Sequence, residues 1–200
     1  GKIAPIKFEY AIFTNLDDDH LDFHKTKEEY FKLLETAKKE NEEQIYLILI
    51  TLASTGIRIS ELSYITVEFI EKGVVNIINK GKYRTIFLPK KLCGKLKSYV
   101  KKMKIKKGPV FITKTGKPLD RSNIWVSMKK LCKKTNINPS KVYPHNFRHL
   151  FARTYYEQEK DIVRLADILG HSNINTTRIY TQETGEIHRR QIQKLGLLRC

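Results

Sequence analysis

From Lys72 to Leu119 the sequence contains no aspartate and no glutamate, although Lys and Arg recur throughout that stretch. It also lacks the roughly 18-residue apolar run that a membrane-spanning helix requires. The longest candidate, Ile45 to Ala53, is interrupted by Thr51 and suits a buried helix. Cysteine is scarce: Cys93, Cys132 and Cys200 are odd in number and far apart, which excludes a disulfide framework and points to a reducing compartment. No Cys-x-x-Cys pair is present, so a structural zinc site is not expected. Internal repeats and low-complexity linkers are missing too. The 200 residues therefore read as one domain, or as a large and a small lobe. The chain opens with Gly1-Lys2, without an initiator Met or a signal-peptide pattern, and reads as part of a longer protein.

What is present in excess is positive charge. Lys and Arg total 38 against 21 acids, a formal net charge of +17. A field of that size implies a polyanionic partner, because each neutralised phosphate releases counterions. The charge is also segregated: residues 1–43 are acidic overall, with Asp17, Asp18 and Asp19 in a row. One basic region and one acidic end describe a nucleic-acid face with a solvent side. A basic amphipathic helix with exposed bulky apolar residues, the mark of membrane binding, is not found.

The pattern along the chain predicts an irregular segment over 1–24, then a helix from Thr26 as N-cap to Glu40. A core helix follows over Glu42–Thr55, apolar on nearly all sides and stopped by Gly56. A short helix over Glu61–Ile65 is expected, capped by Ser60. The period then changes to β-branched runs, Val74–Ile78 and Arg84–Leu88, which read as a hairpin ended by Pro89. A Lys-rich helix over Lys90–Lys102 and a strand at Val110-Phe111-Ile112 come next, and with a nucleic acid as partner the Lys-rich stretch Lys90–Lys107 suits backbone phosphates. Further helices are expected over Arg121–Thr135, Pro144–Tyr156, Asp161–Leu169, Asn175–Tyr180 and Glu186–Leu195. The sum is a mainly helical α+β domain with a small antiparallel sheet.

Two segments carry chemistry. In Pro144-His145-Asn146-Phe147-Arg148-His149, the residues His145 and Arg148 lie three apart, side by side on the flank of an apolar stripe, as an anion clamp at a helix start. His145 and His149 also have the i, i+4 spacing of a metal-binding helix. With no Glu beside the first His and no third ligand nearby, no metal is expected. In Leu169-Gly170-His171-Ser172, His171 sits in the turn after a rigid helix, a place that fixes a proton donor. Tyr180 follows nine residues later.

These segments, with Thr55-Gly56-Ile57-Arg58-Ile59-Ser60-Glu61-Leu62 and Thr176-Thr177-Arg178-Ile179-Tyr180-Thr181, resemble the boxes of the tyrosine recombinase family, in the family's order, over about Lys27 to Leu195. That family includes phage integrases, transposon integrases and Xer recombinases. The resemblance implies a DNA-breaking-rejoining catalytic domain in which Tyr180 attacks a DNA phosphodiester and forms a 3′-phosphotyrosine link. Arg58 and Arg148 clamp the nonbridging oxygens, since two guanidiniums match a phosphate bidentately. Glu61 orients the Arg58 guanidinium. His145 accepts the phenol proton, and His171 hydrogen-bonds the phosphate. A hairpin lysine protonates the leaving 5′ oxygen: Lys80 occupies that place, but the family's Lys-Gly-x-Lys-x-Arg spacing is one residue longer than Lys80-Gly81-Lys82-Tyr83-Arg84, so Lys82 stays open as the alternative.

The cycle so implied needs neither metal nor ATP nor any other cofactor. Its partner is double-stranded DNA, on which the full-length protein forms a tetramer, while this part alone is a monomer. Residues 1–24 would be the remnant of a linker to a DNA-clamping domain, 25–185 the catalytic domain, and 186–200 a tail that docks on a neighbouring protomer. The setting implied is the cytoplasm of a bacterium, or a phage or mobile element acting there. Two other readings share the scaffold: a type IB topoisomerase that relaxes DNA, and a non-catalytic DNA-binding module. The intact set of Arg58, His145, Arg148, His171 and Tyr180 argues against the second. The His171-to-Tyr180 turn and the short tail favour a recombinase over the first.

Overall fold

The structure, a computed structural model, describes residues 18–79, 82–138, 142–180, 189 and 192–195, with side-chain burial from Lys27 onward. Lys80 and most of the tail over 186–200 lie outside the described residues, and so does the side chain of Lys82.

The helix α1 runs Asp18–Lys39, so it begins ahead of the expected Thr26 and takes in residues 18–24. Acidic residues in a first helical turn interact favourably with the helix dipole, and nothing between Asp18 and Thr26 is a helix breaker. The next helix, α2 (Glu43–Thr55), buries Ile45, Leu47, Ile48, Leu49 and Leu52, and it packs against α1 and against the three helices α4 (Lys90–Lys102), α5 (Arg121–Cys132) and α6 (Pro144–Glu159). An apolar surface all round suits a helix surrounded by others. Leu33 and Ala37 of α1, Leu96 and Tyr99 of α4, Ile124 and Met128 of α5, and Phe147 of α6 complete this core.

After Gly56 the chain forms the expected short helix as a 3-10 helix, over Ile59–Tyr64 and so two residues ahead of the expected Glu61. Its start is fixed by Glu61, which accepts from the Arg58 backbone N–H at 2.9 Å, so the carboxylate, not the serine, caps it. A six-residue helix that the pattern did not reveal, α3 (Val67–Lys72), follows and ends at Gly73. The strands β1 (Val74–Asn79) and β2 (Lys82–Phe87) pair antiparallel, with Val75 opposite Ile86 and Ile77 opposite Arg84. Two strands are marginal in water by themselves. Here the inner face packs β1 on the 3-10 helix and β2 on α7 (Ile162–Leu169).

The expected strand at Val110-Phe111-Ile112 is absent. That stretch makes only the isolated bridges Thr66–Pro109 and Ile112–Pro118 among the described residues. Prolines on either side remove the ladder donors a strand would need. A short helix, α8 (Asn175–Arg178), leads to Tyr180. Among the described residues no helix is long and apolar enough to cross a membrane.

Candidate active site

Two helices end at one place. Gly56 closes α2 and Gly170 closes α7, both in the left-handed conformation at φ 61° and 66°. A side chain at either would be strained and crowded: a Cβ on Gly56 would lie 2.5 Å from Phe151 Cδ1, and one on Gly170 would lie 2.6 Å from Arg84 Cδ. The freed carbonyls at these ends, together with the negative poles of the two helices, suit a cation. Arg148, from the second turn of α6, fills that position. Its Nη1 donates to the Gly56 carbonyl at 2.6 Å and its Nη2 to the Leu169 carbonyl at 2.5 Å. The expectation that Arg148 sits on the flank of an apolar stripe is therefore corrected: it is 1 % exposed, the largest fully buried side chain among the described residues.

Arg148 Nη2 also lies 3.0 Å from His171 Nε2. A guanidinium can only donate, so Nε2 accepts and the ring proton sits on Nδ1, which donates to Thr177 Oγ1 at 2.9 Å. Burial first, and then the charges of Arg148, Arg58 and Arg84, push the His171 pKa down to about 4. His171 is thus neutral at neutral pH. Burial likewise lowers Arg148, to about 10, with Arg58 and Arg84 adding to the effect and Glu61 and Tyr180 opposing it.

Arg58 follows Gly56 by two residues and is half-exposed; its Nη1 donates to Glu61 Oε1 at 3.0 Å. Glu61 is 3 % exposed and also binds Arg84, whose Nη1 donates to Oε2 at 3.2 Å. The pairing of Glu61 with Arg58 was expected, whereas Arg84 was missed. The signal was there: Arg84 has the inward phase of β2, alternating with buried Ile86 and Leu88, and an arginine in that phase needs a partner. Arg84 Nε and Nη2 are buried and make no hydrogen bond among the described residues, so Glu61 carries its charge compensation alone. Replacing Glu61 with Gln is expected to destabilise the fold by about 3–5 kcal/mol, the usual cost of removing one partner from a buried pair. That corresponds to a Tm lower by roughly 10 °C in a domain of this size. A thermal melt of Glu61→Gln within 2 °C of the parent, itself about 0.5–1 kcal/mol on this scale, would remove Glu61 as the anchor of this cluster.

Tyr180 closes the site. It is 6 % exposed, in a satellite core with Ala152, Leu165 and Leu169, and its backbone N–H donates to the Thr177 carbonyl at 3.0 Å. Burial raises its pKa, while the charge and hydrogen bonding of Arg148, and the charge of Arg58, oppose the rise. His145 stands exposed at the rim, its pKa lowered by desolvation and then by Arg148 and Arg58. Arg58, Glu61, Arg148, His145, His171 and Tyr180 are therefore brought together. Among the described residues three guanidiniums face one carboxylate. Of the two lysine candidates, Lys80 lies outside the described residues and Lys82 opens β2 opposite Asn79. Among the described residues no third His, Cys, Asp or Glu joins His145 and His149 in a metal-binding group.

The model of the phage integrase family matches residues 25–186. The tyrosine recombinase XerA of Pyrococcus furiosus is 33 % identical over 180 residues, covering 86 % of this chain and 62 % of that protein. XerD of Staphylococcus saprophyticus is 35 % identical over 178 residues, covering 84 % of this chain and 59 % of that protein. A crystal structure of XerA recombinase superposes with a TM-score of 0.68 at 26 % identity, over 92 % of this chain and 66 % of that one. The chain spans about three fifths of the length of these curated relatives.

Proposed function

The chain belongs to the phage integrase family, and from that premise we propose that it is the catalytic domain of a site-specific recombinase that cleaves and rejoins double-stranded DNA through Tyr180. The observation that carries this reading is the charge imbalance beside the phenol: Arg58, Arg84 and Arg148 against Glu61 alone, with Tyr180 in reach of Arg148. Gathering cations in a half-buried cluster is unfavourable unless an anion joins them, and a phosphodiester is an anion that two guanidiniums can clamp.

Each step follows from these groups. Arg58 and Arg148 hold the nonbridging oxygens, whose charge grows during attack. The Tyr180 hydroxyl attacks phosphorus, forming the Oη–P bond, and neutral His145 takes its proton. The bond from phosphorus to the 5′ oxygen breaks, and that oxygen receives a proton from a hairpin lysine, Lys80 or Lys82. The phosphotyrosine link keeps the bond energy, so a 5′-hydroxyl of another strand can reverse the steps and rejoin DNA without hydrolysis. Exchange needs two cleaved duplexes side by side, so the full-length protein works as a homo-oligomer on DNA.

The test is a duplex nicked near the cleavage position, from which the short 5′-hydroxyl strand is lost after cleavage. A denaturant-stable protein–DNA adduct mapping to Tyr180 is the expected product, and with two differently labelled duplexes the full-length protein yields recombinant strands. An adduct mapping to another residue would overturn the assignment of Tyr180.

The same reading sets a pH behaviour for His171. In the free chain burial, and then the charges of Arg148, Arg58 and Arg84, hold its pKa near 4, below the ordinary 6.5. An anion among them favours the imidazolium, so the pKa rises on binding and a proton is taken up between about 4 and the bound value. Affinity for a DNA phosphate therefore increases as pH falls through that window. NMR titration of the His171 ring with and without duplex DNA checks this, and a pKa left unmoved by DNA would take His171 out of the phosphate site.

A further inference from the structure

One side chain that the clamp does not use touches the nucleophile. His149 follows Arg148 in α6, one turn beyond His145. Its ring meets Tyr180 nearly perpendicular, at 79° with centroids 4.9 Å apart, and meets His145 in the same manner, at 73° and 4.6 Å. On another side His171 lies nearly parallel to the Tyr180 ring, at 16° and 6.4 Å. The phenol is therefore bracketed by imidazoles from two different helical segments, α6 and the turn after α7.

The two brackets differ. His171 is tied to Arg148 and Thr177, as its bonds show. His149 makes no hydrogen bond among the described residues, so ring packing is its specific contact. Burial, then His145, Arg153 and Arg148, lower its pKa to about 4. A neutral ring packs on a phenol without adding another cation to a cluster already rich in them. Perpendicular aromatic pairs at this separation are a favoured geometry. Arg148 and His149 are adjacent on one rigid helix, so whatever fixes the guanidinium also fixes the ring that meets Tyr180.

We infer that His149 is a positioning residue for the nucleophile: its ring, seated edge-to-face on Tyr180, sets where the phenol stands relative to the guanidinium of Arg148. This inference rests on Tyr180 as the nucleophile. Attack requires the oxygen at near-contact distance from phosphorus and in line with the leaving group, and a displacement of about 1 Å costs on the order of a hundredfold in rate. The docked phenol needs a lateral support, and His149 supplies it from the element that carries the clamp.

The experiment compares His149→Phe, His149→Leu and His149→Ala by single-turnover adduct formation on the nicked duplex, with DNA affinity measured alongside. His149→Leu and His149→Ala are expected to form the adduct about 10–100-fold more slowly, with affinity within about twofold of the parent. His149→Phe, which keeps a ring and has no proton to transfer, recovers most of the rate. A 19F spectrum of 3-fluorotyrosine placed at position 180 gives a second readout: one shielded resonance in the parent and in His149→Phe, moved toward the solvent-exposed value in His149→Leu. Equal rates in His149→Leu and the parent would overturn the inference, as would a Phe variant as slow as the Leu variant. Failure of the nucleophile assignment has a separate signature, an adduct that survives Tyr180→Phe.

Discussion

Replacing Tyr180 with Phe is expected to abolish the covalent protein–DNA adduct while DNA affinity stays within about threefold of the parent. The substitution removes one oxygen and little else. The ring remains in its small core with Ala152, Leu165 and Leu169, and loss of one hydroxyl changes stability by about 1 kcal/mol. Because burial raises the phenol's pKa, the hydroxyl is un-ionised before DNA binds, so the variant loses no charge that could attract DNA. On the proposed reading Arg58 and Arg148 still hold the phosphate. The nucleophile is gone, and the hydroxyl of Thr177 cannot replace it, since Thr177 is wholly buried and bonded to His171. Denaturing gels on the nicked duplex, with affinity read by anisotropy, decide the matter. An adduct formed by Tyr180→Phe would end the case for Tyr180.

Arg148→Lys is expected to lower the rate of adduct formation about a thousandfold, more than its loss of stability explains. The charge is kept, but an ammonium is a point donor on a flexible stem, whereas the guanidinium presents its N–H groups in a fixed fork. In this chain that fork is used on both sides, reaching the Gly56 carbonyl, the Leu169 carbonyl and His171 at once. Lysine leaves at least one buried carbonyl unpaired, at about 1–3 kcal/mol. On the proposed reading it also gives up guanidinium support of the phosphate, where one lost donor commonly costs about a hundred- to a thousandfold in rate. Single-turnover cleavage corrected for the folded fraction from urea melts separates the two effects. A variant that cleaves within fivefold of the parent, about 1 kcal/mol of barrier, would show that Arg148 is a structural ion, not a phosphate ligand.

The helix α4 (Lys90–Lys102) was legible in the sequence, where its apolar positions Leu92, Leu96, Tyr99 and Val100 recur at helical spacing below a solvated lysine face. The hairpin was legible from its β-branched runs. The start of α1 was not, since acidic residues without an apolar stripe give no period to read, and α3 was too short to show one. Arg84 escaped for a different reason: its partner, Glu61, lies 23 residues away in sequence and meets it only when the strand is packed.

Residue types and their order were enough to determine the chemistry on offer: guanidiniums, imidazoles and a phenol, carried on elements of predictable kind in a chain of strong positive charge. What only the tertiary structure decided is how that charge is arranged. Gly56 and Gly170 lie far apart in sequence, yet they bring two helix ends onto Arg148, and that convergence sets the number of cations facing Glu61. The physical reason is that helix and strand periods are local, whereas burial of a charge, and the pKa values that follow from it, depend on groups that meet only when the chain is closed.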